Sequence, residues 1–102
     1  MKNILFVIND APYGNERPYN ALRHAMNLVK RDDVHVKVFL VADAVYCARK
    51  GQKTPDGYYN IERMLKRVVM AKGHVLLCGT CMDARGMTAE VVMEGARRSS
   101  MD

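Results

Sequence analysis

Five β-prone apolar residues, I-L-F-V-I at residues 4–8, follow one another near the start of the chain with no polar residue between them. A continuous run of this kind is typical of a strand that is covered on both faces in a parallel sheet. Residues 34–41 have a similar strand character. Because parallel strands are joined by a crossover, the segment between the two runs should contain a helix and form a right-handed βαβ unit. We therefore expect an α/β protein.

Apolar periodicity predicts two helices. In the first helix Pro18 is tolerated because it lies in the first turn. Its apolar stripe has the spacing i, i+3, i+4, i+7 and consists of Leu22, Ala25, Met26 and Val29. The second helix has the clearest periodicity in the chain, and Lys72 and Gly73 supply its carboxyl-terminal stop. Its stripe consists of Ile61, Met64, Leu65, Val68 and Val69.

The last third of the chain predicts less regular structure. His74–Cys78 should form a third strand, and Thr88 has the character of an N-cap for a short helix that ends at Gly95. Residues 99–102 have the composition of a helix start. Three strands make a small sheet for this fold class. We therefore expect either a further helix and strand beyond this chain or a partner chain over the exposed edge.

The composition fits one compact domain over residues 1–102. The chain has 102 residues, 49% of them apolar, which is enough for a single core. Its longest apolar runs are far shorter than the ~20 residues that span a bilayer, and its amino terminus has no signal-peptide pattern. These features predict a cytoplasmic protein with no membrane partner.

The net charge of +5 is spread along the chain. Lysines and arginines occur from Lys2 to Arg98 and often alternate with acids, and no basic run is interleaved with aromatic residues. This pattern indicates a solvated cationic surface, and it predicts no nucleic-acid partner. The same charge could help to dock an acidic protein partner.

Several classes of site are disfavoured by the residues present. The loop at residues 9–14 follows the first strand but lacks G-x-G-x-x-G and a Walker lysine, which favours a shaped turn. Serine hydrolysis is disfavoured because Ser99 and Ser100 lie in the tail. A structural zinc site needs four ligands, and the C-x-x-C pair offers two while the histidines stand apart. We therefore expect no metal and no cofactor.

The remaining class is thiol chemistry at Cys78 and Cys81. The pair lies at the carboxyl end of the third strand, and binding and catalytic sites of open α/β sheets are usually built at this edge. Cys78, on the rigid strand end, is the expected nucleophile, and Cys81 the assisting or resolving thiol. The following loop should provide exposure, while Arg85 and a helix amino terminus should favour the thiolate. Asp83 opposes this effect unless it pairs with Arg85. Cys47 lies in an apolar stretch and is expected to be buried filler.

An ordered set of motifs resembles the YchN-like branch of the DsrE/DsrF-like superfamily. The motifs are N-x-A-P-Y-G-x-E at residues 9–16, F-L-x-x-D-A-V at 39–45, G-Q-K at 51–53, Y-N-I-x-x-M-L at 59–65 and C-x-x-C-x-D-x-R-G at 78–86. The resemblance implies a three-layer α/β/α fold with a mostly parallel sheet, truncated here at the carboxyl terminus. It also implies homo-oligomers, either trimers or hexamers.

The resemblance also implies a role for Cys78. In sulfur-relay members of the superfamily, a cysteine at the matching position accepts sulfur as a persulfide and passes it to a partner protein. We therefore expect a persulfide carrier with protein sulfur donors and acceptors. A thiol-disulfide redox protein that uses both Cys78 and Cys81 is the first alternative. A non-catalytic oligomeric module with a structural cysteine pair is the second.

Overall fold

The computed structural model describes residues 1–100. The strands are β1 (Lys2–Ile8), β2 (Val34–Leu40), β3 (His74–Cys78) and β4 (Ala96–Ser99). The α-helices are α1 (Arg17–Leu28), α2 (Ile61–Met70) and α3 (Gly79–Ala84). Two 3₁₀-helical segments lie at Ala42–Ala48 and Ala89–Val91.

The four strands form one sheet in the order β1-β2-β3-β4, and every neighbouring pair is parallel. This confirms the α/β class and the predicted β1, β2 and β3. The sheet has one strand more than predicted, because β4 carries the polar sequence A-R-R-S and has no apolar pattern. Ser99 ends this strand, so its assignment to a helix start is wrong. Residues 101 and 102 lie outside the described residues.

The structure confirms the predicted place of Pro18 in the first long helix and the predicted stop after the second. Pro18 lies in the first turn of α1. The side chain of Asn60 caps α2 by accepting a hydrogen bond from the backbone N–H of Arg63, at 3.0 Å. After α2, Lys72 adopts the left-handed conformation with φ of 71°. The N–H of Gly73 then returns to the carbonyl of Val68 at 2.8 Å, which ends the helix.

The core lies between the sheet and helices α1 and α2. Its largest fully buried side chains come from every layer of this packing and include Leu22, Leu40, Ile61, Leu65 and Leu77. Alternate residues of β1 face the opposite side, where Leu5 is 57% exposed and Val7 is 54% exposed. Among the described residues β1 is therefore covered on one face, whereas its apolar run predicts cover on both.

The segment after β3 differs from the prediction in two places. Residues 79–84 form α3 where a loop is expected, and the predicted helix after Thr88 is only the 3₁₀ turn Ala89–Val91. The side chain of Thr88 makes no capping hydrogen bond. Consequently the C-x-x-C motif runs directly from a strand into a helix.

Candidate functional site

Cys78 lies at the junction of β3 and α3. It is the last residue of the strand and, with φ of −64° and ψ of 117°, the N-cap residue of α3. The first backbone N–H groups of a helix have no partner within that helix, and they point toward the N-cap residue. The predicted position of Cys78 at the carboxyl edge of the sheet is therefore confirmed. In addition, the free backbone N–H groups at the start of α3 lie near this residue.

Hydrogen bonds to its sulfur lower the pKa of the Cys78 thiol. The largest contribution is the backbone N–H of Cys81, and the Cys81 thiol and the backbone N–H of Thr80 add to it. The positive charge of Arg98 also favours the thiolate, while desolvation by burial opposes all of these effects. The result is a sulfur that ionises more readily than a free cysteine, as a nucleophilic thiol requires.

Cys78 is buried, with only 5% of the residue exposed. The sequence predicts a more accessible thiol, and that expectation is wrong for the isolated chain because α3 and the side chain of Arg98 lie over the strand end. Cys81 is the more exposed member of the pair. Neither cysteine of the pair is in a disulfide bond.

The sulfur of Cys81 is fixed by the segment after β2. It accepts a hydrogen bond from the backbone N–H of Ala42 at 3.2 Å. Ala42 has φ of 51°, a left-handed conformation that costs a non-glycine residue about 1–3 kcal/mol. This conformation directs the backbone N–H of Ala42 at the sulfur of Cys81.

Arg85 and Asp83, whose pairing the sequence leaves open, do not pair with each other. Arg85 donates through Nε to Asp43 at 3.0 Å and through Nη1 to the carbonyl of Cys81 at 3.1 Å. Arg85 therefore ties α3 to the 3₁₀ segment after β2. Asp83 instead accepts two hydrogen bonds from Arg98, at 2.8 and 2.9 Å, and this guanidinium lowers the pKa of the Asp83 carboxyl.

Arg98 is the site residue that sequence reasoning misses. It lies in β4, fifteen positions beyond Asp83, and the β3–β4 register places it opposite Leu77. Its positive charge helps to lower the pKa of Cys78, the role that the sequence predicts for Arg85. No motif marks Arg98, because its place depends on a strand that the sequence pattern does not reveal.

Cys47 has the buried position that the sequence predicts. The residue has no exposed surface, and burial raises the pKa of its thiol to about 12. A thiol with this pKa is almost entirely protonated near neutral pH. Cys47 is therefore a core residue and is not a second nucleophile.

The loop after β1 is a shaped turn, as predicted. The hydroxyl of Tyr13 donates to Gln52 and accepts from the backbone N–H of Ile61 at 3.0 Å, so it joins the loop to the start of α2. Within residues 1–100 no cluster of three or more metal-binding side chains occurs. None of the helices described is long and apolar enough to cross a membrane.

A groove of about 620 Å³ adjoins the cysteine site. Its floor is apolar, with Met82, Met87 and Met93, and its rim includes Asp83 and Arg98. The ion pair near Cys78 therefore lies where a bound molecule or a partner segment could reach it.

Comparison with known sequences gives relatives that cover nearly the whole chain. The DsrE/DsrF-like family matches residues 2–102. An uncharacterized protein of Methanopyrus kandleri is 39% identical over 98 residues, which cover 96% of this chain and 79% of that protein. Protein YchN of Escherichia coli K12 is 38% identical over 96 residues, which cover 93% of this chain and 81% of YchN.

Solved structures share the fold. The crystal structure of the YchN protein from E. coli superimposes with a TM-score of 0.92 at 36% identity, covering 99% of this chain and 86% of that chain. A protein of unknown function from Methanobacterium thermoautotrophicum has a TM-score of 0.76 at 15% identity, covering 97% and 81% of the two chains, and at that identity it shares the fold alone. By sequence and by structure, this chain belongs to the DsrE/DsrF-like family.

Proposed function

We propose that this protein is a persulfide carrier in which Cys78 accepts a sulfur atom and passes it to an acceptor thiol. The observation that carries the proposal is the place of Cys78 at the end of β3 and the start of α3, where nearby helix N–H groups lower the pKa of its thiol. A thiolate is the form that attacks sulfur, and two backbone N–H groups can also stabilise a negatively charged persulfide. Membership of a family that is associated with sulfur relay supports the same function.

The loading step forms one S–S bond and breaks another. The Cys78 thiolate attacks the outer sulfur of a donor persulfide, R–S–SH, and the donor thiolate R–S⁻ leaves with the electron pair of the broken bond. The product is Cys78–S–SH, and its proton is the one that the transferred sulfur already carried. Attack of an acceptor thiolate on that outer sulfur reverses these roles and restores the Cys78 thiolate.

Cys81 offers a second route for release. Its thiolate can attack the inner sulfur of the Cys78 persulfide, which forms a Cys78–Cys81 disulfide and releases HS⁻. The C-x-x-C spacing supports this resolving role, because the Cys81 thiol is near enough to help lower the pKa of the Cys78 thiol. A separate thiol reductant is then needed to regenerate the dithiol.

A dithiol redox protein is the second candidate. The place of the C-x-x-C pair at the start of α3 favours it, since such a pair can cycle between dithiol and disulfide. The two functions differ in how many cysteines they require. A carrier needs one sulfur for loading, whereas the redox protein needs both.

The proposal also includes a compartment and partners. Three cysteines are an odd number for a disulfide framework, which fits the reducing cytoplasm, and we propose that location. The sulfur donor and the acceptor are proposed to be proteins.

Intact-mass measurement after incubation with a persulfidated donor tests the function. We expect the wild-type chain to gain one sulfur, about 32 Da, on a single thiol. Cys78→Ser should abolish the gain, and Cys81→Ser should retain it or increase it because the resolving thiol is gone. Cys47→Ser is the matched control for loss of one thiol, and it should load like the wild type.

Two outcomes contradict the carrier function. If Cys81→Ser removes loading as completely as Cys78→Ser, the dithiol redox function is the better account. If the wild type gains no sulfur from any donor, the pair is structural and the chain is a non-catalytic module.

A further inference from the structure

The guanidinium of Arg98 lies directly over Gly79, the residue that follows Cys78. A Cβ atom added to Gly79 would lie 2.6 Å from Nε of Arg98 and 2.7 Å from its Cζ. Contacts this short do not occur in real structures, so only glycine lets the guanidinium lie there undisturbed. The close approach places a positive charge at the mouth of the site while Cys78 remains 5% exposed beneath it.

Asp83 holds this guanidinium in place through an exposed ion pair, and another anion can replace the Asp83 carboxylate in that pair. The two terminal nitrogens of Arg98 engage the two carboxylate oxygens of Asp83 at 2.8 and 2.9 Å. The side chains are 54% and 64% exposed, so water and salt weaken the pair and it contributes little stability. An anion that reaches the site can therefore replace the carboxylate on the same fork of donors.

We propose that Arg98 is a specificity-determining residue that selects sulfur donors bearing an anionic group beside the reacting sulfur. The donor's carboxylate or other oxoanion replaces Asp83 on the guanidinium. This proposal rests on the proposed function for the identity of the natural substrate, whereas the preference for anions follows from the position of Arg98.

Arg97 provides a matched control for the charge. Successive residues of a strand point to opposite faces, and the β3–β4 register places Arg97 opposite Leu76 and Arg98 opposite Leu77. Both arginines border the 620 Å³ groove, together with Glu94 and Asp83. Arg98 is the one whose guanidinium lies against Gly79 and forms the bidentate pair with Asp83.

The test compares alkylation of Cys78 by iodoacetate, an anion, with alkylation by iodoacetamide, its neutral analogue. Rates are taken on the full chain at the high-pH plateau, where every variant has the same fraction of thiolate. Arg98→Gln should lower the iodoacetate-to-iodoacetamide ratio about three-fold, the size expected for one exposed charge pair. The loss should shrink in high salt because the charge is screened. Arg97→Gln should leave the ratio within a factor of about 1.5 of wild type, since it removes the same charge away from Gly79.

Asp83→Asn distinguishes selection of anions by Arg98 from a purely structural role of the Arg98–Asp83 ion pair. It breaks the same ion pair as Arg98→Gln but leaves the guanidinium free, so it should raise the iodoacetate preference while Arg98→Gln lowers it. If both substitutions shift the ratio in the same direction, or if Arg97→Gln lowers it as much as Arg98→Gln, the proposal is wrong. Arg98→Lys, which keeps the charge, should retain part of the preference.

Sulfur donors of opposite charge then test the substrate class. Glutathione persulfide, with its carboxylates, should load Cys78 faster than cysteamine persulfide, which carries an amine, and Arg98→Gln should reduce this difference. If the alkylation preference holds but neither donor loads, the carrier function fails and the anion selectivity of Arg98 stands. If both donors load equally well in wild type and in Arg98→Gln, the carrier function stands and the selectivity for anionic donors is wrong.

Discussion

Two of the three thiols, those of Cys78 and Cys47, differ in what surrounds the sulfur. Cys78 receives N–H donors and the field of Arg98, which lower its pKa. Cys47 is enclosed by apolar core, which raises its pKa to about 12. Desolvation by burial therefore dominates at Cys47, whereas at Cys78 the nearby N–H donors outweigh it.

This contrast predicts different pH profiles for alkylation by iodoacetamide. The rate at Cys78 should reach half of its plateau value at a pH below the ordinary cysteine pKa of 9.0, because its folded-state pKa is lowered. Cys47 should react slowly until the pH approaches 12 or the chain unfolds. Peptide mass spectrometry of timed samples measures each rate. A Cys78 that reacts more slowly than Cys47 at pH 8 contradicts the assignment.

At the scale of secondary-structure elements, the sequence predicts the helices and strands whose apolar residues follow a clear pattern. The stripes of α1 and α2 and the apolar runs of β1 and β2 are visible because burial repeats at fixed spacing. The short α3 has no stripe, and β4 is polar at an edge, so neither could be predicted. Cys78 could be identified from its motif, whereas the contacts of Arg98 depend on strand pairing between distant segments.

Capping gives a prediction at this scale. Asn60 is 6% exposed, caps α2 and donates through Nδ2 to the carbonyl of Gln52 at 3.1 Å. Asn60→Ala should lower the free energy of unfolding by about 1–2 kcal/mol. Thr88→Ala is the matched control, and it should cost less than about 0.5 kcal/mol because Thr88 makes no capping bond. Urea denaturation measures both, and equal losses would contradict the role given to Asn60.

For the whole molecule, the sheet face opposite helices α1 and α2 exposes apolar side chains that a partner subunit could bury. Leu5 and Val7 are more than half exposed there, and the register places the partly buried Leu76 and the buried Phe39 in the row of Val7. We propose that a second copy of the chain covers this face in a homo-oligomer, with a trimer or hexamer expected from the family resemblance. Burial of such a patch favours association.

Light scattering at micromolar concentration tests the assembly. The wild type should have the mass of an oligomer, and Val7→Lys should lower that mass by placing a charge on the covered face. Met70→Lys is the matched control, because Met70 is 83% exposed on α2 and lies away from this face. A folded wild-type monomer, or equal effects of the two substitutions, would contradict the proposed interface.

The most direct test of the central claim locates the added sulfur on the wild-type chain. After incubation with a persulfidated donor, the persulfide is trapped by alkylation and the chain is cut with trypsin. Cys78 and Cys81 then share the peptide of residues 73–85, where fragment ions separate them, and Cys47 lies in the peptide of residues 38–49. We predict the additional sulfur, about 32 Da, on Cys78. Sulfur found on Cys81 or Cys47, with none on Cys78, would contradict the account.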